Sequence, residues 1–499
     1  MWRSSRAIAL AGLIAGSLLA VLLFADGWRV APAASSALLS TPAPNGRFGF
    51  GLTNAGTITQ VDYLNAGWYW DWAANGESRF PGLAYAQTVR LTRIPDDPYA
   101  TTQTGYTASP TGTALLDAIA AQPGAVWFIG NEPDCNVMDN MLSEWYARAY
   151  HDLYSLIKAA DPTARVAAGN IVQPTPQRLL YLDRVLAAYR RLYSQPLPAD
   201  LWAVHAYILC ECCYPSPAPG EPFPWGACWV PDWMGVNDLE SYKASRDIAT
   251  AYSVYDHWRV DIFAQRLQAF RQWMSAHGYR DHPLVVPEYG ILFYEGLVSG
   301  MTLADDVRFM VEGFDWMRSA RDPEIGYLPD GARLVQQWAW YSLSHDAFYL
   351  GGSLFTDGVP TLLGTAYHDY TELLSPSPQP RVNAIWGPAV LGPAGEPATT
   401  TVTARVSNAG DADAPAGLTV RLSVTSPISR SLGWVQTQAL GCCGDGQEVS
   451  VSWTAPGDGL YRVCATASTA DLSSAPACGE IWIHPPYSVM LPTVQLSFR

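Results

Sequence analysis

Between residues 46 and 375 the chain repeats one pattern: a short apolar run, then a stretch whose apolar residues recur every three to four positions. Eight runs read as strands, at 48–52, 67–72, 88–94, 126–130, 165–170, 201–207, 284–288 and 335–341. Four intervening stretches read as amphipathic helices, at 141–162, 176–193, 257–278 and 302–322. The first stops at Pro162, and the last opens on Thr302 as its N-cap. Strands that alternate with helices pair in parallel, because each return to the same edge of a sheet needs a crossover. Eight such units match a closed (β/α)₈ TIM barrel of the α/β class. A doubly wound open sheet is the competing arrangement, since the first strands are separated by short segments of weak helical pattern.

The pattern stops at the Pro/Ser break "LLSPSPQPR" (373–381). Beyond it, "TTTVTARVSN", "LTVRLSVTS", "EVSVSWTAP" and "LYRVCATAS" alternate β-branched and polar residues between Gly, Pro and Asp turns. That is the signature of a small all-β sandwich over 381–484. With "VSNAGDADA" it resembles the immunoglobulin-like, cell-adhesion-related accessory modules. Residues 485–499 read as a terminal tail. At the other end, Arg3 and Arg6 precede a nearly unbroken apolar run at 7–24. Residues 1–26 therefore read as a secretory signal peptide, with cleavage near "VAPAA" (30–34), or as an uncleaved membrane anchor. A Pro/Ala/Ser linker follows over 27–45. The expected location is secreted or at the cell surface, with membrane or envelope attachment through 7–24.

A net charge of −15 leaves no basic stripe to neutralise phosphates, so no nucleic-acid partner is expected. The 20 Trp and 26 Tyr residues are core material, or flat apolar faces for sugar rings. A stretch at 209–256 is too long for a simple strand-to-helix loop. It holds Cys210, Cys212, Cys213 and Cys228 with Trp225, Trp229 and Trp233. We expect a disulfide-braced wall rather than a metal site, because "CECC" lacks a second ligand pair. Neither metal nor cofactor is expected; no Gly-rich phosphate loop follows an early strand.

Two stretches carry the chemistry. "AVWFIGNEPD" (125–134) ends a buried strand in Asn131 and Glu132, and "HPLVVPEYGIL" (282–292) ends another in Glu288. Catalytic groups of a barrel project from the C-terminal ends of its strands. A pair of carboxylates there is what glycoside hydrolysis needs, one as acid and one as nucleophile or base. Alone, Glu132 also reads as an ordinary acidic residue at a helix start.

"NEP" at the end of the fourth strand and "PE" at the end of the seventh resemble the clan A (β/α)₈ glycoside hydrolases. "AGWYWDWAANG" (66–76) is similar to the Trp-Tyr-Tyr-Asn-Trp stretch of the alkali-sensitive-linkage-like catalytic core, although Trp70 and Asp71 stand where that family has Tyr and Asn. The resemblance implies Glu132 as acid/base, Glu288 as nucleophile, Asn131 as a donor to the sugar 2-hydroxyl, and a retaining outcome. It also points to His205 and Tyr207 on one face of the sixth strand, to Trp338 or Trp340 beneath a sugar ring, and to Trp70. Arg90 and Arg93 have opposite parity, so at most one faces the cavity. The expectation is an O-glycosidic hydrolase acting on a polysaccharide or oligosaccharide such as β-glucan. The alternative is a non-catalytic surface protein that binds glycan on the same scaffold.

Overall fold

The computed structural model describes residues 45–53, 60–211, 227–228, 230–233, 253–345, 351–469 and 471–485. The expected N-terminal signal or anchor, the linker up to residue 44 and the tail from residue 486 lie outside the described residues. So do Trp225, Trp229, Cys212, Cys213 and the side chain of Trp233. Among the described residues no helix is long and apolar enough to cross a membrane.

Eight parallel strands close into a barrel. In chain order they are β1 (Asn45–Gly51), β2 (Ala66–Trp70), β3 (Ala84–Ile94), β5 (Val126–Ile129), β6 (Arg165–Ile171), β7 (Leu201–Val204), β8 (Leu284–Tyr289) and β9 (Gln337–Trp340). β1 pairs with both β2 and β9, and the β2–β3 pairing completes the circle. The extra strand β4 (Gly105–Ser109) hangs antiparallel on β3. The helices are α1 (Gly112–Ala121), α2 (Ser143–Ala160), α3 (Pro176–Tyr193), α4 (Val260–Ala276), α5 (Leu303–Ser319) and α6 (Leu362–Glu372). The four helices read from periodicity are α2 to α5. At α5 the Asp305 carboxylate accepts from the Thr302 N–H at 3.0 Å, one half of a capping box. The early crossovers are irregular: the described residues between β1 and β2 hold a 3₁₀ turn (Val61–Leu64) and no α-helix, and the described 71–83 segment between β2 and β3 holds no helix.

Strand parity sorts the side chains. Trp68, Trp70, Ala86, Phe128, Ala167, Leu201, Ala203, Val285 and Ala339 pack inside the barrel. Their neighbours in sequence pack outward against the helices. The interior is thus filled by a few large rings and made to fit by alanines. Gly49 belongs to this arrangement, since a Cβ there would sit 2.5 Å from the Trp68 ring.

A seven-stranded antiparallel sandwich follows. One sheet has the order β12 (Pro380–Trp386), β13 (Ala398–Asn408), β16 (Asp445–Ala455). The other has β15 (Arg430–Gln436), β14 (Thr419–Ser426), β17 (Gly459–Ser468), β18 (Ala477–Ile483). Its core is separate from the barrel's. A short hairpin, β10 (Phe355–Thr356) with β11 (Val359–Pro360), precedes α6. The sandwich meets the barrel at the N-terminal end of the strands. There buried Arg47, at the start of β1, bonds Asp330 at 2.7 and 2.8 Å, Asp411, and the carbonyls of Ala409 and Gly410 at 3.0 and 3.2 Å.

Candidate active site

Glu132 follows the fourth barrel strand, β5, and Glu288 lies on the seventh, β8. Both are 6% exposed, and a carboxylate oxygen of one lies within 4.8 Å of one of the other. His205, past the end of β7, stands between them. Its Nδ1 lies 2.8 Å from Glu132 Oε1 and 3.3 Å from Glu288 Oε2. Facing two acceptors, Nδ1 must carry a proton. Its Nε2 lies 3.1 Å from Asn170 Oδ1, and Asn170 is oriented by its own Nδ2 donating to the Gly130 carbonyl at 2.8 Å. Nε2 must therefore donate as well, and the ring is an imidazolium. Burial alone would lower its pKa, but Glu288 and Glu132 outweigh burial and push it up to about 10. Glu132 is raised above the usual carboxylate range by burial, with Glu288 adding and His205 opposing. Burial thus favours the protonated form of Glu132, and the His205 ring lies between the two carboxyl groups.

Glu288 receives two further donors. The Tyr207 hydroxyl donates to Oε2 at 2.8 Å, and the Trp72 indole N–H donates to Oε1 at 2.7 Å. Burial holds the Tyr207 hydroxyl far above its ordinary pKa, so it stays a donor. The Tyr341 ring stands beside Trp72 and Tyr207, at centroid distances of 5.7 and 6.3 Å. Asn131 is fixed by its backbone N–H to Asp139 at 2.8 Å, while its side-chain Oδ1 is buried with no hydrogen-bond partner among the described residues.

The loop carrying Glu132 is clamped from behind. Glu132 itself adopts φ 48°, and the loop turns at once into Cys135, which is disulfide-bonded to Cys228. The loop is thereby tied to the cysteine-rich insertion. Asp134 meets fully buried Arg178 at 2.6 Å, and Arg178 also holds Glu211 at 2.7 Å and the Cys228 carbonyl at 2.7 Å. Cys210 is in a disulfide too.

Three expected side chains sit elsewhere. Trp338 and Trp340 do share a face, but it is the outer one: Ala339 points inward, Trp338 packs on Phe48 (4.9 Å), and Trp340 donates to the Gly352 carbonyl (2.6 Å). The barrel interior already holds Trp68, Trp70 and Phe128, and only an alanine fits on β9. Trp70 is fully buried; its indole donates to the Pro287 carbonyl at 2.8 Å and underlies Trp72, so it forms the floor of the site rather than a wall. Arg90 and Arg93 both bond the loop after Glu132, Arg90 to Asp139 (2.7 Å) and Arg93 to Asn140 (2.9 Å). Sequence reading missed Trp72, Tyr341 and Asn170. The inward parity of β2 through Trp68 and Trp70 pointed to Trp72, and that of β9 through Ala339 pointed to Tyr341.

Glu132, His205 and Glu288 are near enough to surround a cation. A ring nitrogen that is donating its proton to both carboxylates has no lone pair to give, so the arrangement suits proton chemistry better than metal ligation. A crevice of about 360 Å³ lies at the opposite end of the barrel, against the sandwich, lined by Trp68, Arg165, Gln337, Asp413, Asp445 and Cys442.

No protein-family model matches the chain, and no curated protein matches it. Among solved structures it is similar to a GH128 subgroup II endo-β-1,3-glucanase from Pseudomonas viridiflava, at 14% identity and TM-score 0.41 over 64% of this chain and 96% of that one. It is similar as well to a GH128 subgroup III curdlan-specific exo-β-1,3-glucanase from Blastomyces gilchristii in complex with glucose (17%, TM-score 0.36, 65% and 99%). A CARDB domain from Pyrococcus furiosus is similar over 22% of this chain and 93% of its own (18%, TM-score 0.16). The activities named are those proteins' own.

Proposed function

We propose that the chain is a retaining glycoside hydrolase that cleaves O-glycosidic bonds of a polysaccharide, with Glu132 as acid/base and Glu288 as nucleophile. The observation that carries this reading is the pair of buried carboxylates, bridged by the His205 imidazolium, with oxygens within 4.8 Å. Retaining enzymes hold their carboxyl groups at about 5–5.5 Å, whereas inverting ones need about 6.5–9.5 Å for a water. Glu132, protonated by burial, delivers its proton to the leaving oxygen while Glu288 bonds the anomeric carbon. Glu132 then takes a proton from the incoming water, whose oxygen displaces Glu288. The Asn131 amide, whose Oδ1 has no partner among the described residues, and the rings of Trp72 and Tyr341 are the groups offered to sugar hydroxyls and faces.

A β-glucan is the substrate we infer, on the likeness of "WYWDW" to the alkali-sensitive-linkage-like core. The apolar N-terminal run behind Arg3 and Arg6, together with the disulfides, supports export, with the sandwich as an immunoglobulin-like accessory module. A barrel that only bound glycan would gain nothing from two buried carboxyl groups bridged by one histidine.

The test is reducing-sugar release from a polysaccharide panel by the wild type, Glu132→Gln and Glu288→Gln, with the first-formed anomer read by NMR. We expect retention of configuration and loss of at least about a thousandfold in each variant. Inversion, or turnover persisting in Glu288→Gln, would falsify the assignment.

A further inference from the structure

Trp72 has a conformation and a contact that sugar binding alone does not require. It adopts φ 58°, a region that bulky side chains rarely occupy and that persists only where the surroundings impose it. Here they do. The preceding Asp71 carboxylate accepts from the Ala73 N–H at 3.2 Å, the Asn75 amide at 3.3 Å and the Tyr85 hydroxyl at 2.5 Å, closing the loop beneath the indole. Gly51 on β1 clears the space above: a Cβ there would lie 2.8 Å from the Trp72 ring. Trp70 backs the ring at 4.6 Å. The result is an indole N–H held 2.7 Å from Glu288 Oε1. The other oxygen, Oε2, is already committed to Tyr207 and His205. Oε1, with a single donor among the described residues, is therefore the oxygen free to bond carbon.

We propose that Trp72 is a catalytic residue of the second half-reaction, stabilising Glu288 as it departs from the glycosyl-enzyme. This rests on the retaining reading above. In the first step Oε1 bonds the anomeric carbon, the bond to the leaving oxygen breaks, and that oxygen takes the Glu132 proton. In the second step a water oxygen bonds the anomeric carbon and its proton goes to Glu132. The carbon–Oε1 bond breaks, and its electron pair returns to Glu288. Negative charge grows on Oε1 in the second step and falls in the first. A donor fixed on Oε1 therefore favours release of the carboxylate and slightly restrains its attack.

The test compares the wild type with Trp72→Phe, which keeps a ring and removes the donor, on 2,4-dinitrophenyl β-glucosides of one to three glucose units. The dinitrophenolate leaves without help, so kcat reports the second step and kcat/KM the first. We expect kcat to fall by on the order of ten- to a hundredfold, the worth of a hydrogen bond to a carboxylate. KM should fall with it, kcat/KM should change by less than about threefold, and a burst of dinitrophenolate should accompany a glycosyl-enzyme visible by intact mass. Gly51→Ala, which displaces the ring without deleting it, should give a weaker form of the same pattern and serves if Trp72→Phe does not fold. A fall in kcat/KM with KM unchanged or raised, and no accumulating intermediate, would overturn this inference alone. A wild type that forms no adduct with the corresponding 2-deoxy-2-fluoro glycosides would overturn the retaining reading, and this proposal with it.

Discussion

At the scale of single residues the site is a question of where two protons sit. His205 is an imidazolium because both of its nitrogens face acceptors, and burial raises the Glu132 pKa, which favours its protonated form. Activity should therefore persist above the ordinary carboxylate range and fall only when Glu132 ionises. His205 pulls the Glu132 pKa down, so removing the cation lets it rise further. In His205→Gln the alkaline limb of the kcat/KM profile should move to higher pH, while kcat/KM at its optimum drops by about ten- to a hundredfold. An alkaline limb that moved down would contradict the charge assigned to His205. Dialysis against EDTA should leave the rate unchanged, since the three donors are engaged with one another. Glu132, Glu288, His205 and Tyr207 were legible because each ends a short apolar run, where a barrel exposes chemistry. Trp72 was harder to read, since its role depends on a left-handed backbone and on the absence of a side chain at Gly51, neither of which sequence spacing displays.

At the scale of elements, periodicity located the helices well, because α2 to α5 each present one apolar stripe to the sheet. Choosing the inner face of a strand was less secure. On β9 the two tryptophans look like the natural inward pair, yet the inner face goes to Ala339, because volume was already taken by rings from β2 and β5. Occupancy of a closed interior is a sum over all eight strands and cannot be read from one. The loop after β5 shows a similar long-range dependence. Its geometry is set by Arg178 on α3 and by residues of the insertion, Glu211 and Cys228. Arg178→Met should cost about 3–5 kcal/mol in urea unfolding, because it strands two buried carboxylates without a counter-charge. A loss below about 1 kcal/mol would mean that Asp134 and Glu211 take up protons at little expense.

At the scale of the whole molecule the sandwich lies at the foot of the barrel, and the candidate site lies at the other end of the strands. The break at 373–381 marked the change from barrel pattern to sandwich pattern, but the joint between them was not legible, since it depends on Arg47, which is 283 residues from Asp330 and 364 from Asp411 in sequence. With a buried cation spanning both parts, we expect a single calorimetric unfolding transition in the wild type, and a lower or split one in Arg47→Met. Two resolved transitions in the wild type would show that the contact contributes little. Arg47 belongs to the first barrel strand, yet its counter-charges come partly from the barrel, as Asp330, and partly from the sandwich, as Asp411. The barrel is therefore not a portable cassette. Grafted onto another partner, or cut free, it would carry an internal cation missing one of its acids, so any exchange of modules at this joint has to bring a replacement for Asp411 with it.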